Sequence, residues 1–152
     1  MMLLITLVFS RFGYEGAELI GDGIKSSTSI LTLDLSFCNI TDAGGEILAT
    51  ALIEQETCKE VDLSSNNLGP KTGVALENLL KSNKIVEALI LSDNDFYCEN
   101  AAVSIMRGLL TNDTLKFLDL SWNALCGEEF GKILSKSIKA SSLKIIDLSH
   151  NR

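Results

Sequence analysis

Apolar residues recur along this chain in a fixed unit. Its first, fourth and sixth positions are apolar, its ninth is Asn or Cys, and it returns every 28 or 29 residues. The clearest copy is Cys58-Lys59-Glu60-Val61-Asp62-Leu63-Ser64-Ser65-Asn66-Asn67-Leu68. One period earlier the same four positions hold Ile30, Leu33, Leu35 and Cys38. Later copies hold Val86, Leu89, Leu91 and Asn94, then Leu115, Leu118, Leu120 and Asn123, then Leu143, Ile146, Leu148 and Asn151. One period before Ile30 stand Met2, Ile5, Leu7 and Ser10, with Phe12 where Ile40, Leu68, Phe96 and Leu125 come later. The chain therefore reads as one domain, residues 1–152, of about five repeats and the start of a sixth, with starts near residues 2, 30, 58, 86, 115 and 143.

Within a period the pattern predicts a strand, a turn and a helix. Val61-Asp62-Leu63 is the strand, Ser64 to Gly69 the turn, and Lys71 to Lys81 the helix. Pro70 suits its first turn, where a missing N–H is not needed. Thr41-Asp42 likewise reads as an N-cap with an acidic first turn, before a helix over Ala43 to Ile53. The helices supply a second apolar stack, Ile20, Leu48, Leu76, Ile105 and Ile133, which faces the strand stack across one core. The ninth-position residues Asn66, Asn94, Asn123 and Asn151 are expected to be structural. A turn that enters the interior leaves backbone N–H and C=O groups in need of partners, and an amide offers both donors and acceptors.

Composition narrows the picture. With 46% hydrophobic residues among 152, the chain can fold without disulfide staples. A net charge of -7 argues against nucleic acid and against an anionic membrane surface, so a partner selected by charge is a basic one. Cys38 stands in the Asn/Cys position and Cys58 in a core position, both as small buried residues. Cys98 and Cys126 fall at or beside turns, and no spacing suits zinc. Reduced cysteines in a cytoplasmic protein are the expectation. The apolar opening, Met1 to Phe9, lacks a basic flank and a small-residue cleavage pattern, and its register continues the repeat, so it reads as a strand and not a signal. It is too short to span a membrane. The glycosylation triplets at Asn39 and Asn112 are discounted as chance matches.

The period, the full helix in each unit and the strings Leu118-Asp119-Leu120-Ser121-Trp122-Asn123 and Ile146-Asp147-Leu148-Ser149-His150-Asn151 resemble the ribonuclease-inhibitor-like subclass of leucine-rich repeats over essentially the whole chain. The resemblance implies an α/β solenoid, a curved horseshoe with parallel strands on its concave face and helices on its convex face. Relatives range from ribonuclease inhibitor through NOD-like receptors and the Ran GTPase-activating protein to tropomodulin, so the subclass alone does not select a function.

In such a repeat, positions two, three, five, seven and eight face the concave side. Position five reads Thr6, Asp34, Asp62, Ile90, Asp119 and Asp147. Carboxylates on strands about 4.8 Å apart repel by roughly 1 kcal/mol even in water-like dielectric. A tolerated acidic ladder points to a basic ligand. The plainer alternative is that Asp-Leu-Ser is generic to the subclass, with the aspartates bonded across strands to Ser36, Ser64, Ser92, Ser121 and Ser149. A linear ladder interrupted by Ile90 does not converge as Ca²⁺ requires.

Position eight reads Phe9, Phe37, Ser65, Asp93, Trp122 and His150. Aromatic side chains there have no core duty, and such residues dominate interface energetics. Trp122 is the foremost candidate contact, unless it packs sideways on His150 and Phe117. Phe117 and Ile145 at position three, with Lys116 and Lys144 at position two, form an apolar strip with a charged margin.

Leu3, Leu4, Val8 and Phe9 make an apolar outward face on the first strand, which should aggregate unless covered. The last repeat stops at Asn151-Arg152, whereas repeat arrays normally carry polar caps. The expectation is a fragment of a longer solenoid, its ends covered by further repeats or by another chain. No catalytic constellation is legible: His150 is the single histidine and no phosphate-binding glycine loop occurs. No cofactor or metal is expected. The reading is a non-catalytic protein-interaction module that binds a protein partner. The alternatives are a GTPase activator of the Ran type, for which only Arg11, Arg107 and Arg152 are available, and a structural spacer in a cytoskeletal or ciliary scaffold.

Overall fold

The structure, a computed structural model, describes residues 2–97 and 99–152, so Met1 and Cys98 lie outside the described residues. Strand and helix alternate in the order β1 (Leu3–Thr6), α1 (Gly13–Ser26), β2 (Ile30–Asp34), α2 (Thr41–Ile53), β3 (Glu60–Asp62), α3 (Pro70–Ser82), β4 (Ala88–Ile90), α4 (Glu99–Leu109), β5 (Phe117–Asp119), α5 (Glu128–Ala140) and β6 (Ile145–Asp147). The strands form one parallel sheet in chain order. Its register follows the repeat: Leu33 pairs with Val61, Val61 with Leu89, Leu89 with Leu118 and Leu118 with Ile146. Residues 2 to 9 carry the strand expected of them, paired with β2.

The helices pack side by side in the same order. Strands sit about 4.8 Å apart and helices about 8–10 Å apart, so stacking one of each per repeat bends the array with the helices outside. Leu33, Leu35, Val61, Leu63, Leu89, Leu91, Leu118 and Leu120 are buried on the strand side, and Leu48, Leu76, Ile105 and Ile133 on the helix side. Helix packing is tight at Gly73, where a Cβ would stand 2.9 Å from the Ala101 backbone, closer than real contacts allow.

The asparagine ladder satisfies the turns. Nδ2 of Asn66, 0% exposed, donates to the carbonyls of Leu35, Leu63 and Ser64, while its Oδ1 accepts from the N–H of Cys38 and Ile40. Asn94 and Asn151 repeat the five bonds one and three turns on. Cys38 imitates the donor half with its thiol, which reaches the Leu7 carbonyl at 2.8 Å. Burial pushes the Cys38 thiol up, and the Cys58 thiol up to about 11.

A second ladder, not read from the sequence, closes the opposite end of each repeat. Gln55, Asn83 and Asn112 donate to helix-end carbonyls of the preceding repeat, Ile24, Leu52 and Leu80, and accept from the N–H groups that lead into the next strand. Asn112 is thereby buried in bonds and does not act as a glycan acceptor in the folded chain. At the C-cap of α5, the place Asn83 holds on α3, stands Ser141, whose buried hydroxyl has no partner. Ser141→Asn should extend the ladder and raise stability by about 1 kcal/mol, read as a higher urea midpoint at unchanged slope. An unchanged midpoint would count against the ladder.

Thr41-Asp42 does not cap its own helix. The N-cap of α2 is Ile40, without a side-chain bond, because Thr41 itself opens the helix. Asp42 instead reaches the next repeat, where Oδ1 accepts from the N–H of Gly69 (2.8 Å) and Thr72 (2.9 Å) and Oδ2 from that of Lys71 (3.0 Å). The N-cap of α3, Gly69, has no side chain to offer.

Candidate functional site

The concave sheet face is a set of side-chain rows, each set by one repeat position. Position five runs Thr6, Asp34, Asp62, Ile90, Asp119, Asp147 in strict cross-strand register. The aspartates do not bond across strands to the serines. Each turns back on its own repeat, where Oδ1 accepts from the N–H two residues on, at Ser36, Ser64, Ser121 and Ser149. The Ser36 and Ser64 hydroxyls join the same Oδ1 at 2.8 and 2.6 Å. Asx-type closure within the repeat needs no neighbour, so it wins over a bond across the sheet. These backbone bonds engage Oδ1 alone and leave Oδ2 for another donor. The Ser149 N–H and hydroxyl, with His150, hold the Asp147 carboxyl below its ordinary range.

Position two alternates in sign. Lys59 (2.9 Å) and Lys116 both pair with Glu87, which binds the two ammonium groups in one three-repeat bridge. Lys116 and Lys59 hold the Glu87 carboxyl down to about 2. The bridge was legible as lysine, glutamate, lysine at repeat spacing. Lys144, next in the row, makes no ion pair among the described residues.

Position three places Ala88, Phe117 and Ile145 in register, beside Ile90 of position five. Ile145 is 57% exposed.

Position eight is the most unusual row. Phe9, Phe37, Ser65, Asp93, Trp122 and His150 all lie at φ between 54° and 60°, in the left-handed region. The turn needs this conformation to swing the following residue into the core. It costs an L-residue roughly 1–2 kcal/mol, and glycine bears no such cost. This chain places no glycine there. The side chains project together and pair off along the ladder. Phe9 stacks on Phe37 with ring centroids 4.5 Å apart, the Ser65 hydroxyl donates to Asp93 at 2.7 Å, and Trp122 stacks on His150 at 3.9 Å and 14°. Stacking returns part of the strain, yet Trp122 remains 58% exposed and Phe37 44%.

The predicted residues thus fall into two groups. Asp34, Asp62 and Phe37 lie over β2 and β3. Phe117, Ile145, Asp119, Asp147, Trp122 and His150 lie together over β5 and β6. The Ser65–Asp93 pair separates the groups. Beside the first group, Phe9, Arg11, Phe37, Asn39, Ser65 and Asn67 line an open groove of about 400 Å³ that was not foreseen. Its signal in the sequence is the polar tenth position, Arg11, Asn39 and Asn67. Among the described residues no cluster of His, Cys, Asp and Glu could hold a metal, and no helix is long and apolar enough to cross a membrane.

The leucine rich repeat family matches this chain at residues 26–49 and 111–128. Pig ribonuclease inhibitor is 31% identical over 137 residues, which cover 88% of this chain and 29% of that protein. The chain therefore spans under a third of the length of this curated relative. Among solved structures, leiomodin-1 actin-binding site 2 aligns with a TM-score of 0.74 at 22% identity, covering 88% of this chain and 77% of that one. The tropomodulin C-terminal domain of Caenorhabditis elegans aligns with a TM-score of 0.76 at 12% identity, covering 88% and 82%. At such identities these two likenesses speak for the fold alone. The repeat register, the family match and the likeness to ribonuclease inhibitor make this chain a leucine-rich-repeat protein of the ribonuclease-inhibitor-like type.

Proposed function

We propose that this chain is a non-catalytic, cytosolic protein-interaction module that binds a protein partner through the β4–β6 half of its concave face and the adjoining turns. Phe117, Ile145, Trp122 and His150 form the contact centre, and Asp119 and Asp147 its acidic margin. The observation that carries this reading is the left-handed row. The chain bears backbone strain to hold large rings at exposed positions where glycine would be cheaper, and rings in that setting suit an interface. The free thiols of Cys38, Cys58 and Cys126 accord with a reducing compartment.

Proteins retained from a cell extract by the native chain should be lost with the double variant Phe117→Ser, Trp122→Ala. They should be kept by Lys136→Glu, on the exposed side of α5. For a purified partner the double variant should weaken binding at least about tenfold. Equal retention by all three chains would remove the concave face from the account.

One observation favours a second reading: the likeness to a domain named for actin binding, leiomodin-1 actin-binding site 2. If actin is the partner, the native chain will bind monomeric or filamentous actin and the double variant will not. For the Ran-type alternative the arginines do not gather: Arg107 sits in the last turn of α4, whereas Arg11 lines the groove beside Phe9 and Phe37.

A further inference from the structure

We infer that the concave face across β4–β6 takes a dipolar segment of a partner protein. That segment is apolar along its midline, acidic along the edge that meets Lys116 and Lys144, and basic along the edge that meets Asp119, Asp147 and the Trp122–His150 stack. The inference rests on reading this face as the protein-binding surface and adds the chemistry of what fills it.

Over β5 and β6 the charges are sorted, and only Glu87 of the β4 repeat interrupts the lysine row. β5 and its approach read Lys116-Phe117-Leu118-Asp119, and β6 reads Lys144-Ile145-Ile146-Asp147. In both, the position-three side chain stands between lysine and aspartate, and Phe117 pairs with Ile145 across the sheet. On the lysine edge two ammonium groups, Lys59 and Lys116, share the single carboxylate of Glu87. On the acidic edge the backbone bonds of Asp119 and Asp147 engage Oδ1 only.

The acidic row ends in the exposed Trp122–His150 stack, whose indole face suits an arginine or lysine head. Each lysine stands in the approach to its strand, three residues before the aspartate, so the two rows are no more than about 10 Å apart along the backbone. That is the diameter of one helix, so a single helix or strand laid across β5 and β6 meets both edges. A uniformly basic segment would leave Lys116 and Lys144 facing like charge, and a uniformly apolar one would bury charges on both sides.

The test is selection of a random peptide library displayed on phage against the native chain. Enriched peptides should carry Leu, Ile, Phe or Met flanked by Lys or Arg on one side and Asp or Glu on the other. Their affinity should fall roughly tenfold with the pair Asp119→Asn, Asp147→Asn, which keeps the Oδ1 acceptors and removes only charge. Lys116→Gln, Lys144→Gln should give a similar loss, and reselection on each variant should drop the matching charge. Peptides that are basic throughout and indifferent to the lysine variants would overturn the inference. So would a failure to enrich any peptide. If such peptides still need Phe117 and Trp122, the binding face stands and only its dipolar filling falls. If they ignore those residues as well, the reading of the face falls with it.

Discussion

Replacing Asn66 by alanine should lower the stability of the chain by about 3–5 kcal/mol. Five backbone groups from two successive repeats, the carbonyls of Leu35, Leu63 and Ser64 and the N–H groups of Cys38 and Ile40, lose the Asn66 amide in a fully buried place; the Leu63 carbonyl keeps Asn94 Nδ2 and the Ser64 carbonyl the Phe37 N–H, while Asn66 is the side-chain partner of the other three. A buried group left unpaired costs about 1–3 kcal/mol, and the sum is not additive because the loosened turn admits some water. Urea unfolding followed by circular dichroism reads the loss. The neighbour supplies the control. Asn67 is exposed, with one bond at the 3.5 Å limit, and its φ is 58°. Asn67→Ala should cost only about 1 kcal/mol, from the left-handed backbone. Equal losses at the two positions would contradict the ladder as the element that joins repeats.

Asp42→Ala should cost about 2 kcal/mol, the upper end of a helix-cap effect, because one carboxylate serves three N–H groups at the start of α3 and lies in a different repeat. Asp42→Asn should recover part of this by keeping Oδ1. The same site carries a pH signature. Burial pushes the Asp42 carboxyl up, but the N–H groups of Thr72, Lys71 and Gly69 outweigh it and set the folded value below the ordinary 3.8. A depressed folded value means that the stabilisation is fully present above 3.8 and is lost as the pH falls through the folded value. Glu87, held at about 2 by Lys116 and Lys59, acts in the same direction between 4.5 and about 2. Acid unfolding of Asp42→Ala should therefore be less steep below pH 4 than that of the native chain. Parallel curves would show that the carboxylate does not bear on α3.

The fold was legible in the sequence because its determinants are local and repeated. Leu33, Val61, Leu89 and Leu118 each specify one inward position, and the period alone sets which neighbours they meet. The polar inter-repeat bonds were legible only where the template marks them. Asn66 sits in the marked position, whereas Gln55, Asn83 and Asn112 lie between strand and helix patterns, and their role depends on where helix ends fall in space. Asp42 was misplaced for a related reason: a Thr-Asp pair before a helix suits that helix in isolation, and only the stacking of repeats shows that the next helix lacks a cap. The position-eight row was visible as aromatic letters, and the packing of Trp122 on His150 was one of its two readings, but the left-handed backbone and the Phe9–Phe37 and Ser65–Asp93 pairs were not visible, since neither follows from hydrophobic periodicity. The lysine–glutamate–lysine bridge at Lys59, Glu87 and Lys116 could have been found by reading position two at the repeat spacing.

The central claim is that a protein partner sits on the concave face over β5 and β6. It is tested most directly by placing a photo-crosslinking amino acid at position 122 and, separately, at position 138, where Ile138 is 52% exposed on α5. Each chain would be irradiated in cell extract. The account predicts a discrete crosslinked protein from position 122 and none from position 138. Crosslinks from position 138 alone, or the same products from both, would contradict it.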